Sequence, residues 1–135
     1  MTNAYPTAVR LPVLWGDLDA FGHVNNARYF TWFEAARLDY FREVGVATSA
    51  TPSVGPILAR TECDFLRPVS WPGEVTVGAR TTRVGTTSFH MEYAIWQDEG
   101  PDQPVARATG VVVLIDYRSG TKVAVPDALR AKLLA

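Results

Sequence analysis

The sequence predicts an α+β fold in which one long helix lies against a mainly antiparallel sheet of five strands. Three observations carry this reading. Apolar residues recur at helical spacing from Asn26 to Val44. Four consecutive segments from Ile57 onward alternate as strands do, joined by short turn sequences. One further strand-like segment precedes the helix. Strands in succession with tight connections pair antiparallel, and a single helix across the sheet buries both apolar surfaces.

The first strand is expected at Ala8 to Trp15, with Val9, Leu11 and Val13 alternating against Arg10 and Pro12. Pro12 cannot donate a ladder hydrogen bond, so it suits an edge. Gly16 to His23 reads as a loop. In the helix, Tyr29, Phe33, Ala36, Tyr40 and Val44 form one face, widened by Phe30, Trp32 and Phe41. A helix apolar over so much of its circumference is surrounded by protein. Asn25 or Asn26 can cap its start, and Gly45 stands where a left-handed C-terminal cap belongs.

Ala47 to Pro56 reads as a loop. In the next strand, Ile57 to Arg67, the set Ile57, Ala59, Thr61, Cys63 and Phe65 is expected to share one face, opposite Arg60, Glu62 and Asp64. Pro68 and Pro72-Gly73 mark a turn. Strands follow at Glu74 to Val84, Ser88 to Gln97 and Val105 to Tyr117, separated by Gly85-Thr86 and by a polar loop from Asp98 to Pro104. Pro126 opens a short last helix, Asp127 to Leu133. One helix covers only part of such a sheet, so a homodimer or homotetramer is expected to complete the burial.

The chain has 135 residues and reads as one domain throughout, 1–135, long enough to hold a core without disulfides or metal. Its net charge of −1 gives no electrostatic reason to expect nucleic acid. No apolar run is long enough to span a bilayer and the N-terminus lacks a signal-peptide pattern, so a cytoplasmic protein without a membrane span is expected. Cys63 is the lone cysteine and reads as a small buried apolar residue. With only two histidines, His23 and the distant His90, no metal site is expected.

The chemistry concentrates in Trp15-Gly16-Asp17-Leu18-Asp19-Ala20-Phe21-Gly22-His23-Val24-Asn25-Asn26. Two carboxylates, an imidazole and two amides stand just ahead of the helix. Unpaired N–H groups at a helix start can stabilise an oxyanion, and a nearby carboxylate can attack a carbonyl or activate water. Asp-x-Asp followed by Gly and Asn is equally the chemistry of a turn, and acids before a helix are favoured by its dipole. The residues alone leave both readings open.

The run Asp17-x-Asp19-x-x-Gly22-His23-Val24-Asn25-Asn26-x-x-Tyr29, continued by Phe33-Glu34-x-Ala36-Arg37, resembles the signature of hotdog-fold acyl-CoA thioesterases of the 4-hydroxybenzoyl-CoA thioesterase type. The likeness extends through Phe65-x-Arg67-Pro68, Gly73-Glu74, Arg83-Val84-Gly85-x-x-Ser88 and Val125-Pro126-x-x-Leu129-Arg130. It implies a hotdog fold, a long helix wrapped by the sheet and paired into homo-oligomers, and an enzyme that hydrolyses an acyl-CoA without a cofactor, coenzyme A being part of the substrate. By the same resemblance Asp19 is the catalytic nucleophile or general base, and Asp17 is structural. The backbone N–H near Asn26 polarises the carbonyl, and His23 supports. Gly22, Asn25, Tyr29, Arg83 and Ser88 are expected along the substrate. Some family branches carry an aromatic residue and a histidine at Asn25-Asn26, so that histidine's assistance does not transfer.

Glu34 aligns with a helix carboxylate that another hotdog branch uses for catalysis, but Arg37 three residues on offers it an ion pair. Arg28 can meet a carboxylate or a phosphate, or stay solvated. Arg60, Arg67, Arg80, Arg83 and Arg107 are candidates for a basic rim facing CoA phosphates. Two rival functions stay in view: an acyl-thioester hydratase or dehydratase using Asp19 and His23 as an acid/base pair, and a non-catalytic acyl-CoA-binding protein.

Overall fold

The computed structural model describes residues 4–49, 53–98, 100 and 102–135. The first residues of the N-terminus, the middle of the Ala47 to Pro56 loop, and Glu99 and Pro101 of the polar loop fall outside them. Five strands, β1 (Thr7–Val13), β2 (Val54–Phe65), β3 (Gly73–Val84), β4 (Ser88–Trp96) and β5 (Ala106–Asp116), form one antiparallel sheet in the order β1-β3-β4-β5-β2. Helix α1 (Asn26–Val44) lies against it, and α2 (Asp127–Leu133) closes the chain.

The helix begins and ends where its sequence dictates. Asn25 is the N-cap, its Oδ1 accepting the Ala27 N–H at 3.0 Å. Gly45 is the C-cap at φ 90°, a left-handed conformation that costs glycine little. Tyr29, Trp32, Phe33, Ala36, Tyr40, Phe41 and Val44 are buried, and the helix rests mainly on β1 and β3. It reaches β4 through ring contacts of Phe33 with Tyr93 (5.3 Å) and Phe41 with Phe89 (6.0 Å). The sheet contributes Val75, Val77, Ala79, Met91, Ile95 and Val112 to the same core.

Three expectations are corrected. The first strand stops at Val13 because Asp17 turns the chain: its N–H reaches the Leu14 carbonyl at 2.9 Å, and its Oδ2 accepts the Leu14 N–H at 2.8 Å. A 3-10 turn at Trp15–Asp17 results. The second strand runs Val54–Phe65, not Ile57 to Arg67. It leaves the ladder before Pro68, the Leu66 and Arg67 N–H groups both turning to the Val105 carbonyl.

The face of β2 also differs. Leu58 pairs with Val112 and Arg60 with Val111, so Ala59 is the extra residue of a β-bulge. The bulge shifts the alternation by one. Pairing with buried Val112, Gly110, Ala108 and Ala106 puts Leu58, Thr61, Cys63 and Phe65 on the inner face, while Ile57 joins Arg60, Glu62 and Asp64 outside. A second bulge, between Thr81 and Arg83, adjusts β3.

The helix does not cover the β2 edge of the sheet. Leu58 is 39% exposed and Phe65 46% exposed although both belong to the inner row. No helix among the described residues is long and apolar enough to cross a membrane.

Candidate active site

The loop between β1 and α1 is a small closed hairpin. Leu18 and Val24 form an antiparallel bridge, the Asp19 N–H donates to the His23 carbonyl at 2.7 Å, and the Gly22 N–H donates to the Asp19 carbonyl at 3.1 Å. Gly22 turns the tip at φ 79°, where a side chain is disfavoured. The two acids have different tasks in this hairpin. Asp17 is 7% exposed; besides holding Leu14, its carbonyl accepts the Asn25 N–H at 2.9 Å, and its Oδ1 lies 3.5 Å from Arg28 Nε. It ties the strand end, the loop and the first helical turn together.

Asp19 is exposed. Its Oδ1 accepts the N–H groups of Phe21 (2.9 Å) and His23 (3.1 Å), fixing the carboxylate against the loop backbone, while no acceptor contact of Oδ2 occurs among the described residues. Turn chemistry is therefore present, and it orients one oxygen while leaving the other open to a ligand.

The helix start supplies the electrophilic element. The Ala27 N–H is taken by Asn25 Oδ1 and the Arg28 N–H by the Asn25 carbonyl at 2.9 Å. Among the described residues, the Asn26 N–H is left without a protein acceptor. A cavity of about 310 Å³ opens there, lined by Val24, Asn26, Tyr29, Phe65, Leu66, Arg67 and Pro68. Tyr29 is buried, its ring edge-on to Phe65 at 4.8 Å. Burial, aided by the neighbouring Cys63 thiol, raises the Tyr29 hydroxyl above its ordinary pKa, so it stays protonated and a donor.

Of the residues expected from sequence, Asn26, Tyr29 and the basic-rim candidate Arg67 line this cavity. Asp19, Gly22, His23 and Asn25 stand in the adjoining loop, Asp19 one step along the hairpin from the lining residue Val24. Asp19 itself does not line the cavity within one chain. Arg83 and Ser88 are elsewhere. The β1–β3 register places Val13, where the loop begins, beside Gly73, whereas Arg83 and Ser88 are at the opposite end of β3 and β4. There Arg83 Nη2 lies 2.8 Å from His90 Nε2, and the Ser88 carbonyl accepts the Gly85 N–H at 2.7 Å.

Other arginines are engaged locally. Arg60 lies against Glu62, and Arg67 donates to Gln103 Oε1 at 3.2 Å. Arg80 pairs with Glu92, donates to the Ala4 carbonyl and covers the Tyr5 ring at 4.6 Å. Arg37, with its side chain 11% exposed, makes two long contacts, to Glu34 Oε2 (3.8 Å) and Tyr93 Oη (3.4 Å). Arg28 meets Asp17 as described above.

Sequence reasoning gave no site role to Phe65, Leu66 or Pro68, which form much of the cavity wall. Phe65 and Pro68 belong to the Phe65-x-Arg67-Pro68 part of the family resemblance, but nothing in that motif marks them as cavity wall, close to the helix only once the sheet has folded. Cys63 is half-buried behind them; burial, with Asp64 beside it, pushes its thiol from 9.0 up to about 11.

Residues 13–133 match the Thioesterase-like superfamily. The chain belongs to that family. Its relatives include a thioesterase from Thermus thermophilus, solved in complex with coenzyme A and zinc. The two are 33% identical over 97% of this chain and 99% of that one, with a TM-score of 0.84. The acyl-acyl carrier protein thioesterase ATL3 of Arabidopsis thaliana is 28% identical over 93% of this chain and 66% of its own length. The uncharacterized Bacillus subtilis (strain 168) protein YsmA is 29% identical over 93% and 83%. Family membership and fold together make this chain a hotdog-fold enzyme of the acyl-thioester hydrolase class.

Proposed function

We propose that the chain hydrolyses an acyl-CoA thioester to the free acid and coenzyme A, with Asp19 as nucleophile or general base. The observation that carries this reading is the Asn26 N–H, unclaimed among the described residues and opening onto a cavity beside the loop that holds Asp19. A thioester oxygen seated there would receive a backbone donor and the positive end of the α1 dipole as negative charge develops. The coenzyme A bound to the Thermus relative supports CoA as the carrier.

In one route, water deprotonated by Asp19 attacks the thioester carbon, and the tetrahedral intermediate expels the CoA thiolate. In the other, Asp19 Oδ2 attacks, CoA leaves, and water hydrolyses the resulting anhydride. Both routes balance with water as the only co-reactant, and the reaction as proposed uses no cofactor. His23, whose N–H already meets Asp19 Oδ1, keeps the carboxylate in place.

The active unit we propose is a homodimer paired through β2, with association into a tetramer open. β2 is a long edge strand carrying exposed Ile57, Leu58 and Phe65, and such an edge is prone to pair with another chain. Antiparallel pairing of two β2 strands would set the loop end of one sheet beside the Arg83 and Ser88 end of its partner. Those two residues would then serve the partner's CoA, which reconciles them with a site they do not reach in their own chain.

The test is thiol release from butyryl-, benzoyl- and dodecanoyl-CoA, with hydration of crotonyl-CoA followed in parallel. Thiol release supports hydrolysis. Hydration without thiol release would transfer the site to the hydratase reading, and release from acyl carrier protein thioesters alone would change the carrier.

A further inference from the structure

Two separate cavities lie between α1 and the inner row of β2, one at the helix start and one farther along. On α1, Asn26, Phe30, Phe33, Arg37 and Phe41 follow at steps of four, three, four and four, one face of the helix. Opposite them runs β2 in the reverse direction, from Phe65 back to Leu58 and Pro56. At its far end a second cavity, of about 170 Å³, is lined by residues of both elements, among them Arg37, Phe41 and Leu58. Between the two cavities stands a cluster of rings. Phe65 meets Tyr29 edge-on at 4.8 Å and Phe30 at 6.4 Å, and Phe30 meets Phe33 at 6.0 Å.

We infer that Phe65 is a gate that sets acyl length, confining substrate to short or single-ring acyl groups by blocking the passage to the second cavity. An acyl group whose carbonyl oxygen sits on the Asn26 N–H meets the Phe30–Phe65 contact after one helical turn, about 6 Å of travel. Past that contact lies the second cavity, at Arg37, about 16 Å from Asn26 along the helix. A long acyl group would need both cavities, and the Phe30–Phe65 contact stands between them. Phe65 is suited to this role because it stands at the end of its strand with its ring against both Tyr29 and Phe30. Tyr29 and Phe33, by contrast, are fixed in the core.

The gate presupposes the thioester hydrolysis proposed above, and the experiment separates the two. The kcat/KM values for butyryl-, benzoyl- and dodecanoyl-CoA are measured by thiol release in the wild type, Phe65→Ala, Phe65→Leu and Asp19→Asn. The wild type is expected to favour butyryl- or benzoyl-CoA over dodecanoyl-CoA by at least tenfold. Phe65→Ala is expected to shift the dodecanoyl-to-butyryl ratio at least tenfold toward the long chain, with Phe65→Leu between. Phe65→Leu, the milder truncation, reads the gate if Phe65→Ala folds poorly. A wild type that prefers dodecanoyl-CoA, or folded variants whose ratio is unchanged while Asp19-dependent thiol release persists, would overturn the gate alone. Absence of Asp19-dependent release from every substrate would overturn the underlying hydrolysis, and the gate with it.

Discussion

Replacing Asp19 by asparagine isolates charge from shape. The Asp19 side chain accepts two loop N–H groups through Oδ1, at 2.9 and 3.1 Å, and an amide oxygen can keep both. What is lost is the charge assistance of two exposed hydrogen bonds, about 1 kcal/mol in all. For a chain of this size that lowers the melting temperature by about 4 °C. The chemical cost is far larger. An amide neither attacks a thioester nor takes a proton from water, and a positioned acid or base is typically worth about 10²- to 10⁴-fold in rate. The expected result is therefore a fall of about two to four decades in kcat, or about 3 to 5 kcal/mol of barrier, in a protein that melts almost normally. Thiol release under saturating acyl-CoA and a thermal melt give the two numbers. Asp19→Ala serves as the contrast, since it also removes both loop contacts and should lose stability as well as rate. An Asp19→Asn enzyme retaining kcat within about threefold of wild type would show that the carboxylate only braces the loop.

Three further outcomes follow from the geometry. Gly22 has φ 79° with open space where a Cβ would stand, so Gly22→Ala costs only backbone conformation, about 1 kcal/mol, read as a melting temperature lower by about 4 °C. Its kcat should fall by more than the lost folded fraction explains, because the same turn positions Asp19. Cys63 has its thiol pushed up to about 11 from 9.0, so the folded protein disfavours the thiolate. Its alkylation at pH 8 should be about 100-fold slower than that of a free thiol. The contribution to stability is fully present below pH 9 and is lost as the pH rises from 9 toward 11, where the unfolded chain ionises and the folded one does not. Leu58→Asp places a charge on the inner row of the β2 edge, the apolar face that the helix leaves uncovered; sedimentation should show the assembly dissociating, with thiol release falling in parallel.

The helix was readable to the residue because three independent signals agree there: apolar spacing, an asparagine cap and a glycine stop. The division of labour between Asp17 and Asp19 came from the family resemblance alone, because two acids of one turn look alike until burial separates them. The face of β2 was not readable. A bulge is a backbone event, and nothing in Leu58-Ala59-Arg60 marks which residue will be passed over. Nor was the cavity wall from Phe65 to Pro68, because its nearness to Asn26 depends on β2 leaving the ladder beside the helix start. Arg83 and Ser88 illustrate a different limit. A motif can unite residues that a single chain keeps at opposite ends of one sheet, and only an assembly could bring such residues to one ligand.

The central claim is spatial, and it is tested most directly by a crystal structure with a non-hydrolysable acyl-CoA analogue whose thioester sulfur is replaced by methylene. The carbonyl oxygen is predicted within about 3 Å of the Asn26 nitrogen, and an Asp19 oxygen or an Asp19-bound water within about 3.5 Å of the carbonyl carbon. A carbonyl bound away from the helix start, with Asp19 facing solvent, would contradict the account.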